Sequence, residues 1–239
     1  METINFLKKL VKRSLRSTGW ELHRIPESHL VTALQLFNID LVVDVGANEG
    51  QFASDLRTRG YWGNMISIEP IADVHQVLSQ FASKDPNWQV LDRCAVGARE
   101  GEIELNVAGN SVSSSVLPML ETHSSVAPES VYVRKETVPI TTIDKIAARY
   151  FGDAKKPFLK IDTQGYEWQV LDGATDTLSR IYGVQMEVSL IPLYEGQRLW
   201  LESLRRLEDE GFTLWSIEPA FVDPSSGQTL QLDAVFFRT

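Results

Sequence analysis

The chain has almost no cysteine. Cys94 stands alone among 239 residues, which excludes an internal disulfide framework and any metal cluster of the CxxC type. Its expected role is that of a small buried apolar residue in a strand. No apolar run approaches the roughly 18 residues that a membrane-spanning helix requires. Basic residues are in the minority, 23 Lys and Arg against 32 Asp and Glu, and a formal charge of −9 leaves no basic footprint for general nucleic-acid binding. The first residues are basic, but charges interrupt their apolar positions and no small-residue cleavage site follows, so a signal peptide is not expected. What these absences leave is a cytoplasmic globular protein, and its length suits one large domain with its own core.

Against the acidic average, residues 1–25 carry Lys8, Lys9, Lys12, Arg13, Arg16 and Arg24 with only Glu2 and Glu21 opposing them. At helical spacing Ile4, Phe6, Leu7, Leu10, Val11 and Leu15 fall on one arc and the basic residues 8–16 on the other, with Gly19 a plausible stop. Such a helix packs its apolar arc on the domain or on a second subunit, or lies on the inner face of an anionic membrane. Packing is the expectation, because most amphipathic helices are simply half-buried. Residues 1–30 are thus read as an N-terminal helical segment and 31–239 as a single α/β domain.

From residue 30 onward short apolar runs alternate with helical patterns, which predicts a doubly wound, mostly parallel sheet. Strands are predicted at 41–45, 65–68, 88–96, 102–107, 131–140, 158–161, 181–188, 212–217 and 230–237. Helices are predicted at 50–59, 71–81, 167–178 and 197–210, with a short one running to Tyr150 from a capping box at Thr141 to Asp144. Residues 109–130 read as a long irregular insert, which in a compact domain is functional or mobile.

Three local patterns point to chemistry. The first is VDVGANEGQF at 43–52, a buried strand running through a glycine turn into a helix. Gly46 permits a tight turn with close ligand approach, Gly50 lets the helix sit near the sheet, and N–H groups at the helix start can take an anion. Asn48 stands where a dinucleotide fingerprint has its second glycine, and there is no Gly-Lys-Ser/Thr of a P-loop. The second is Glu69, closing the second strand about twenty residues on, where an acidic residue of a doubly wound fold accepts ribose hydroxyls. The third is LKIDTQGYEWQVLDGA at 159–174. Its Asp162 ends a strand expected beside the first, at the switch point where ligands bind. Glu167 is either a partner of the next helix's dipole or a substrate contact.

These two blocks, their spacing, and the IEP step at 68–70, AVG at 95–97 and TID at 142–144 resemble the FkbM-type methyltransferases over residues 40–190. The resemblance implies a class I methyltransferase fold with a seven-stranded sheet, S-adenosylmethionine as donor, and a sugar or polyketide hydroxyl as acceptor. It implies that Asp44, Gly46, Ala47, Asn48 and Gly50 surround the methionine end of the cofactor. Glu69 would hold the ribose, Cys94 and Ala95 would lie beside the adenine, and Asp162 would stand near the transferred methyl. Tyr166 occupies a position where the family often has a small residue, so the acceptor pocket is expected to be reshaped.

A sugar hydroxyl needs a base or a metal to take its proton. Asp162, Glu187 and His123 are the candidate bases, and Asp162 with Glu187 could instead hold a divalent cation through oxygen ligands. Ser111 to Ser115 could bind acceptor hydroxyls or form a polar loop, while His29 and His75 are expected to be structural. The acceptor expected is a glycolipid or polysaccharide sugar. The competing readings are an NAD(P)-dependent oxidoreductase on a similar sheet, disfavoured by Asn48 and the Asp162 block, and a non-catalytic cofactor-binding subunit.

Overall fold

The computed structural model describes residues 28–239. The predicted amphipathic helix lies outside the described residues. Ser28 caps the first described helix, α1 (His29–Leu36), with its hydroxyl accepting the Val31 N–H.

β1 (Leu41–Val45), α2 (Gln51–Thr58), β2 (Asn64–Ile68), α3 (Ala72–Ala82) and β3 (Trp88–Val90) build the first half by alternation of parallel strands and helices. β4 (Ala95–Val96), β5 (Gly101–Ala108), α4 (Glu121–Val126) and β6 (Tyr132–Thr141) follow. The second half is α5 (Ile143–Tyr150), β7 (Pro157–Ile161), α6 (Glu167–Asp172), β8 (Gly183–Ser189), α7 (Trp200–Asp209), β9 (Thr213–Val222) and β10 (Thr229–Phe237). Seven strands form one sheet in the order β3-β2-β1-β7-β8-β10-β9, and β10 runs antiparallel to both neighbours. This is the doubly wound, mostly parallel class I methyltransferase sheet that the resemblance implies. A second sheet, β4-β6-β5, stands beside α3.

β1 and β7 are buried along their whole length, because both faces of the sheet are covered. Val43, Val45, Leu159 and Ile161 enter one core, and Val42 and Phe158 enter the other. On the Val42 face the register sets four polar residues side by side: Ser67 next to Asp44, Asp44 next to Lys160, Lys160 next to Gln185. Polar groups in such strands must find partners, and this row is the foundation of the site.

Four expectations are corrected. The strand expected at 88–96 is two strands in different sheets: β3 pairs with β2 and β4 with β6, and Arg93 between them is tied to Glu136 and the Pro70 carbonyl. Cys94 consequently sits between strands, partly exposed, rather than within one. The helix expected to reach residue 178 stops at Asp172, because at Gly173 the chain passes so close to Gly97 that a Cβ would lie 2.1 Å from its carbonyl oxygen. The cap of α5 is Thr142, one residue later than expected, and Asp144 instead accepts the backbone N–H groups of Asp176 and Thr177.

Candidate active site

At the carboxyl ends of β1, β2 and β7 lies a cavity of about 360 Å³. Its first wall is the glycine turn. Gly46 has a φ of +77°, and a Cβ there would sit 1.8 Å from the Asp162 carbonyl oxygen, so only glycine lets the ends of β1 and β7 pass. Asn48 is also left-handed, at +46°, a conformation that asparagine tolerates better than most residues. Its N–H donates to Glu69 Oε2 at 2.8 Å and its side-chain amide to Ser111 Oγ at 3.0 Å. Gly46, Ala47 and Asn48 line the cavity. Gly50 does not: at +91° it begins α2, and a Cβ would meet the Trp88 ring at 2.7 Å.

Glu69 is buried beside the turn, at the end of β2, with Oε1 on the Ile71 N–H at 2.8 Å and Oε2 on the Asn48 N–H. Burial raises its carboxyl to about 7, against the two N–H bonds that favour the charged form. Each oxygen retains a second lone pair that can accept a hydroxyl of a ligand. Ile71, Cys94, Ala95 and Val96 make an apolar wall beside it. Burial, then the nearby Asp92, pushes the Cys94 thiol up to about 11, so it serves as surface rather than as a nucleophile.

Asp44 is fully buried and stands behind the wall, not on it. Its partner is Lys160, whose Nζ is 3.1 Å from Asp44, 3.0 Å from the Gly46 carbonyl and 3.4 Å from Asp162. Burial opposes the lysine's charge, but Asp44 and Asp162 outweigh it and raise its pKa. Burial likewise raises Asp44, against the pull of Lys160. Lys160 thus fixes the glycine turn to the strand that carries Asp162. A charged residue inside the apolar run 157–161 is the signal by which the sequence could have revealed it.

The second half of the wall is acidic. Asp162 lines the cavity with its side chain about one-third exposed. Gln164, left-handed at φ +54°, donates from Nε2 to Asp162 Oδ1 at 2.9 Å and to Glu187 Oε2 at 2.7 Å. Its Oε1 accepts from the buried Tyr194 hydroxyl at 2.7 Å, and Gln231 also donates to Glu187. Burial, then repulsion from Asp162, Glu167 and Asp233, raises the Glu187 carboxyl well above its ordinary range. Glu187 is therefore joined to Asp162 through an amide and does not itself line the cavity. N–H groups stand between the two carboxyls where a shared cation would need oxygen ligands. Among the described residues no cluster of three or more His, Cys, Asp or Glu side chains is arranged to hold a metal.

His123 is buried in α4, with its ring against Tyr194 and Phe221, and does not reach the cavity. Burial lowers its pKa. Glu167 accepts the Thr163 and Gly165 N–H groups, bracing the loop that carries Gln164. The serine run is mostly self-occupied: Ser115 donates to the Gln164 carbonyl and Ser114 to Ser111, while Ser113 is buried. Ser111, Val112, Ser114, Val116 and Tyr166 reach the cavity as its roof. Gln164, Gln185, Asp233 and Tyr194 were not singled out by the sequence patterns.

The family described as the methyltransferase FkbM domain matches residues 44–214, which carry both walls up to β8. The chain belongs to the FkbM methyltransferase family. It is accordingly a methyltransferase domain of the S-adenosylmethionine-dependent class, and the oxidoreductase reading is set aside. A hexuronic acid methyltransferase, AglP of Haloferax volcanii, is 27% identical over 150 residues, covering 62% of this chain and 56% of that protein. The chain therefore matches little more than half the length of this relative. Among solved structures, magnesium protoporphyrin IX methyltransferase from Synechocystis PCC 6803 has a TM-score of 0.47 at 10% identity, covering 88% of this chain and 76% of that one. An rRNA methylase from Streptococcus thermophilus has 0.46 at 10%, covering 91% and 99%.

Proposed function

We propose that the chain transfers a methyl group from S-adenosylmethionine to a hydroxyl of a sugar-containing acceptor. The observation that carries this reading is the joined wall: Glu69 and the Gly46–Asn48 turn, at the ends of neighbouring strands, are tied to one another by the Asn48 N–H. The Gly46–Gly50 N–H groups are all engaged within the protein, so an amino-acid carboxylate would take the N–H groups at the start of α2, where Gln51 and Phe52 line the cavity, while Glu69 offers a buried carboxyl for ribose hydroxyls. The apolar side with Ile71, Cys94 and Ala95 suits an adenine ring. Asp162 and Asp233 give the cavity a negative lining that complements a sulfonium.

When bound, S-adenosylmethionine supplies an electrophilic methyl carbon, its bond to sulfur breaking with the electron pair left on sulfur. Asp162, exposed to the cavity, takes the proton of the acceptor hydroxyl as that oxygen bonds the methyl carbon. Gln164 holds Asp162 Oδ1 from one side and Lys160 stands at Oδ2, so the carboxylate is aimed before the acceptor arrives. Glu187 steadies Gln164 rather than meeting the acceptor. The sugar acceptor is favoured by the relative that acts on hexuronic acid.

Asp162→Asn should keep S-adenosylhomocysteine binding and lose about 10²-fold or more in transfer rate. Equal losses in both would assign Asp162 to the donor, and a full rate would remove it as the base. Mass spectrometry of cell glycans and glycolipids, with and without the gene, identifies the acceptor as the species that loses the mass of one methylene. Among the described residues no helix is long and apolar enough to cross a membrane. Whether a lipid-linked acceptor is met at a membrane is tested by deleting residues 1–25 and measuring partitioning to anionic vesicles.

A further inference from the structure

Resting on the methyl-transfer reading, we propose that Gln185 and Asp233 form the acceptor subsite and take a hydroxyl-rich sugar that is neutral or cationic, in preference to one bearing a carboxylate. Oε1 of Gln185 is buried with no hydrogen-bond partner, on a side chain only 7% exposed that lines the cavity. Buried acceptors in folded proteins are nearly always satisfied, so an orphan on a side chain that lines a cavity marks where a ligand donor belongs. The orientation of the amide follows from its neighbour. The Gln185 amide favours the charged form of the Asp233 carboxyl, as its NH₂ end does when turned toward Asp233 with Oε1 turned away. The reverse orientation would set two acceptors against each other.

The register explains why these groups converge. Gln185 follows Lys160 in the polar row of the sheet, and Asp233 is paired across strands with Glu187, so alternate residues of β8 and β10 face the same side. Asp162, Asp233 and Gln185 Oε1 thus present acceptors only, and vicinal hydroxyls or an ammonium would satisfy them. Among the described residues of the wall, Lys160 is the one cation, and it is already in contact with Asp44, Asp162 and the Gly46 carbonyl. A carboxylate on the acceptor would face Asp233 and Asp162 with like charge. In this respect the site differs from what a hexuronic acid would require.

The test uses the full chain, methyl transfer to 4-nitrophenyl glucoside, glucosaminide and glucuronide, and calorimetry with S-adenosylhomocysteine. Wild type should turn over the glucoside or glucosaminide at least about tenfold better than the glucuronide, and Asp233→Asn should narrow that gap. Gln185→Leu should raise the acceptor KM about tenfold while S-adenosylhomocysteine affinity stays within about twofold, which also shows that the variant is folded. Preference for the glucuronide, or transfer to none of the three, overturns the subsite. So does loss of S-adenosylhomocysteine affinity in either variant, which would give these groups to the donor's ammonium. Failure of wild type to bind S-adenosylhomocysteine is a separate result that removes the methyl-donor reading itself.

Discussion

The two halves of the cavity are built on opposite plans. On the β1–β2 side the loops hold one another through backbone N–H groups, and both oxygens of Glu69 already have partners. On the β7–β8–β10 side carboxyls crowd around one amide, and Gln185 keeps an acceptor that nothing satisfies. The first half is preorganised for a ligand of fixed shape, as a cofactor is. The second is acidic and incomplete, as expected of a site finished by its acceptor. The difference teaches that one half is held by backbone geometry and the other by side-chain charge, which the proposal assigns to donor and acceptor respectively.

The comparison breaks most sharply at the joint between the halves. Gly46→Ala places a Cβ 1.8 Å from the Asp162 carbonyl at a φ of +77°. It should cost about 3 kcal/mol or more in urea unfolding and abolish S-adenosylhomocysteine binding. Lys160→Met should follow, costing about 3–5 kcal/mol by leaving Asp44 buried and unpaired. The double variant Lys160→Met with Asp44→Leu should recover part of that loss; no recovery would show that Lys160 is not there for Asp44.

Acidity separates the halves more gently. The folded pKa of Glu69, about 7, lies above its ordinary value of 4.5, so the folded state holds this proton more tightly than the unfolded chain does. Its contribution therefore favours folding at low pH and is lost as pH rises through the window from 4.5 to about 7. Glu69→Gln should flatten that part of the unfolding profile. In wild type, S-adenosylhomocysteine affinity should rise with pH up to about 7, as the ionised carboxyl becomes available to ribose hydroxyls. The smallest effect is expected at His123, which touches Tyr194 but not the cavity. His123→Phe should leave the transfer rate within about threefold of wild type, since it removes no group within reach of the acceptor.

The same contrast decides what could be read from the sequence. Gly46 and Gly50 stand out because their backbone conformations need glycine, and Glu69 because the spacing from the turn is local to one βα unit. Asp162 stood out by its place at the end of a buried strand, and the structure sets it on the cavity wall. Asp44 and Gly50 were expected at the cofactor, and the structure sets them behind the cavity wall, against Lys160 and Trp88. Gln185 and Asp233 lie 48 residues apart in sequence, on strands β8 and β10 that pair in the fold, and nothing near either in sequence predicts that meeting. His123 was considered as a base because a histidine in an irregular insert looks free to swing over the site, whereas α4 buries it against aromatic rings and away from the cavity. The irregular insert itself proved ordered, pinned to the site by Asn48 on Ser111 and by Ser115 on the Gln164 carbonyl.

The central claim is that the glycine turn and Glu69 together hold one ligand, the methyl donor. Isothermal titration of wild type and Glu69→Ala with S-adenosylhomocysteine tests it most directly. Saturable binding to wild type, weakened about tenfold or more in the variant, is the result predicted from a lost buried hydrogen-bond acceptor. No binding to wild type, or equal affinity in the two proteins, would contradict it.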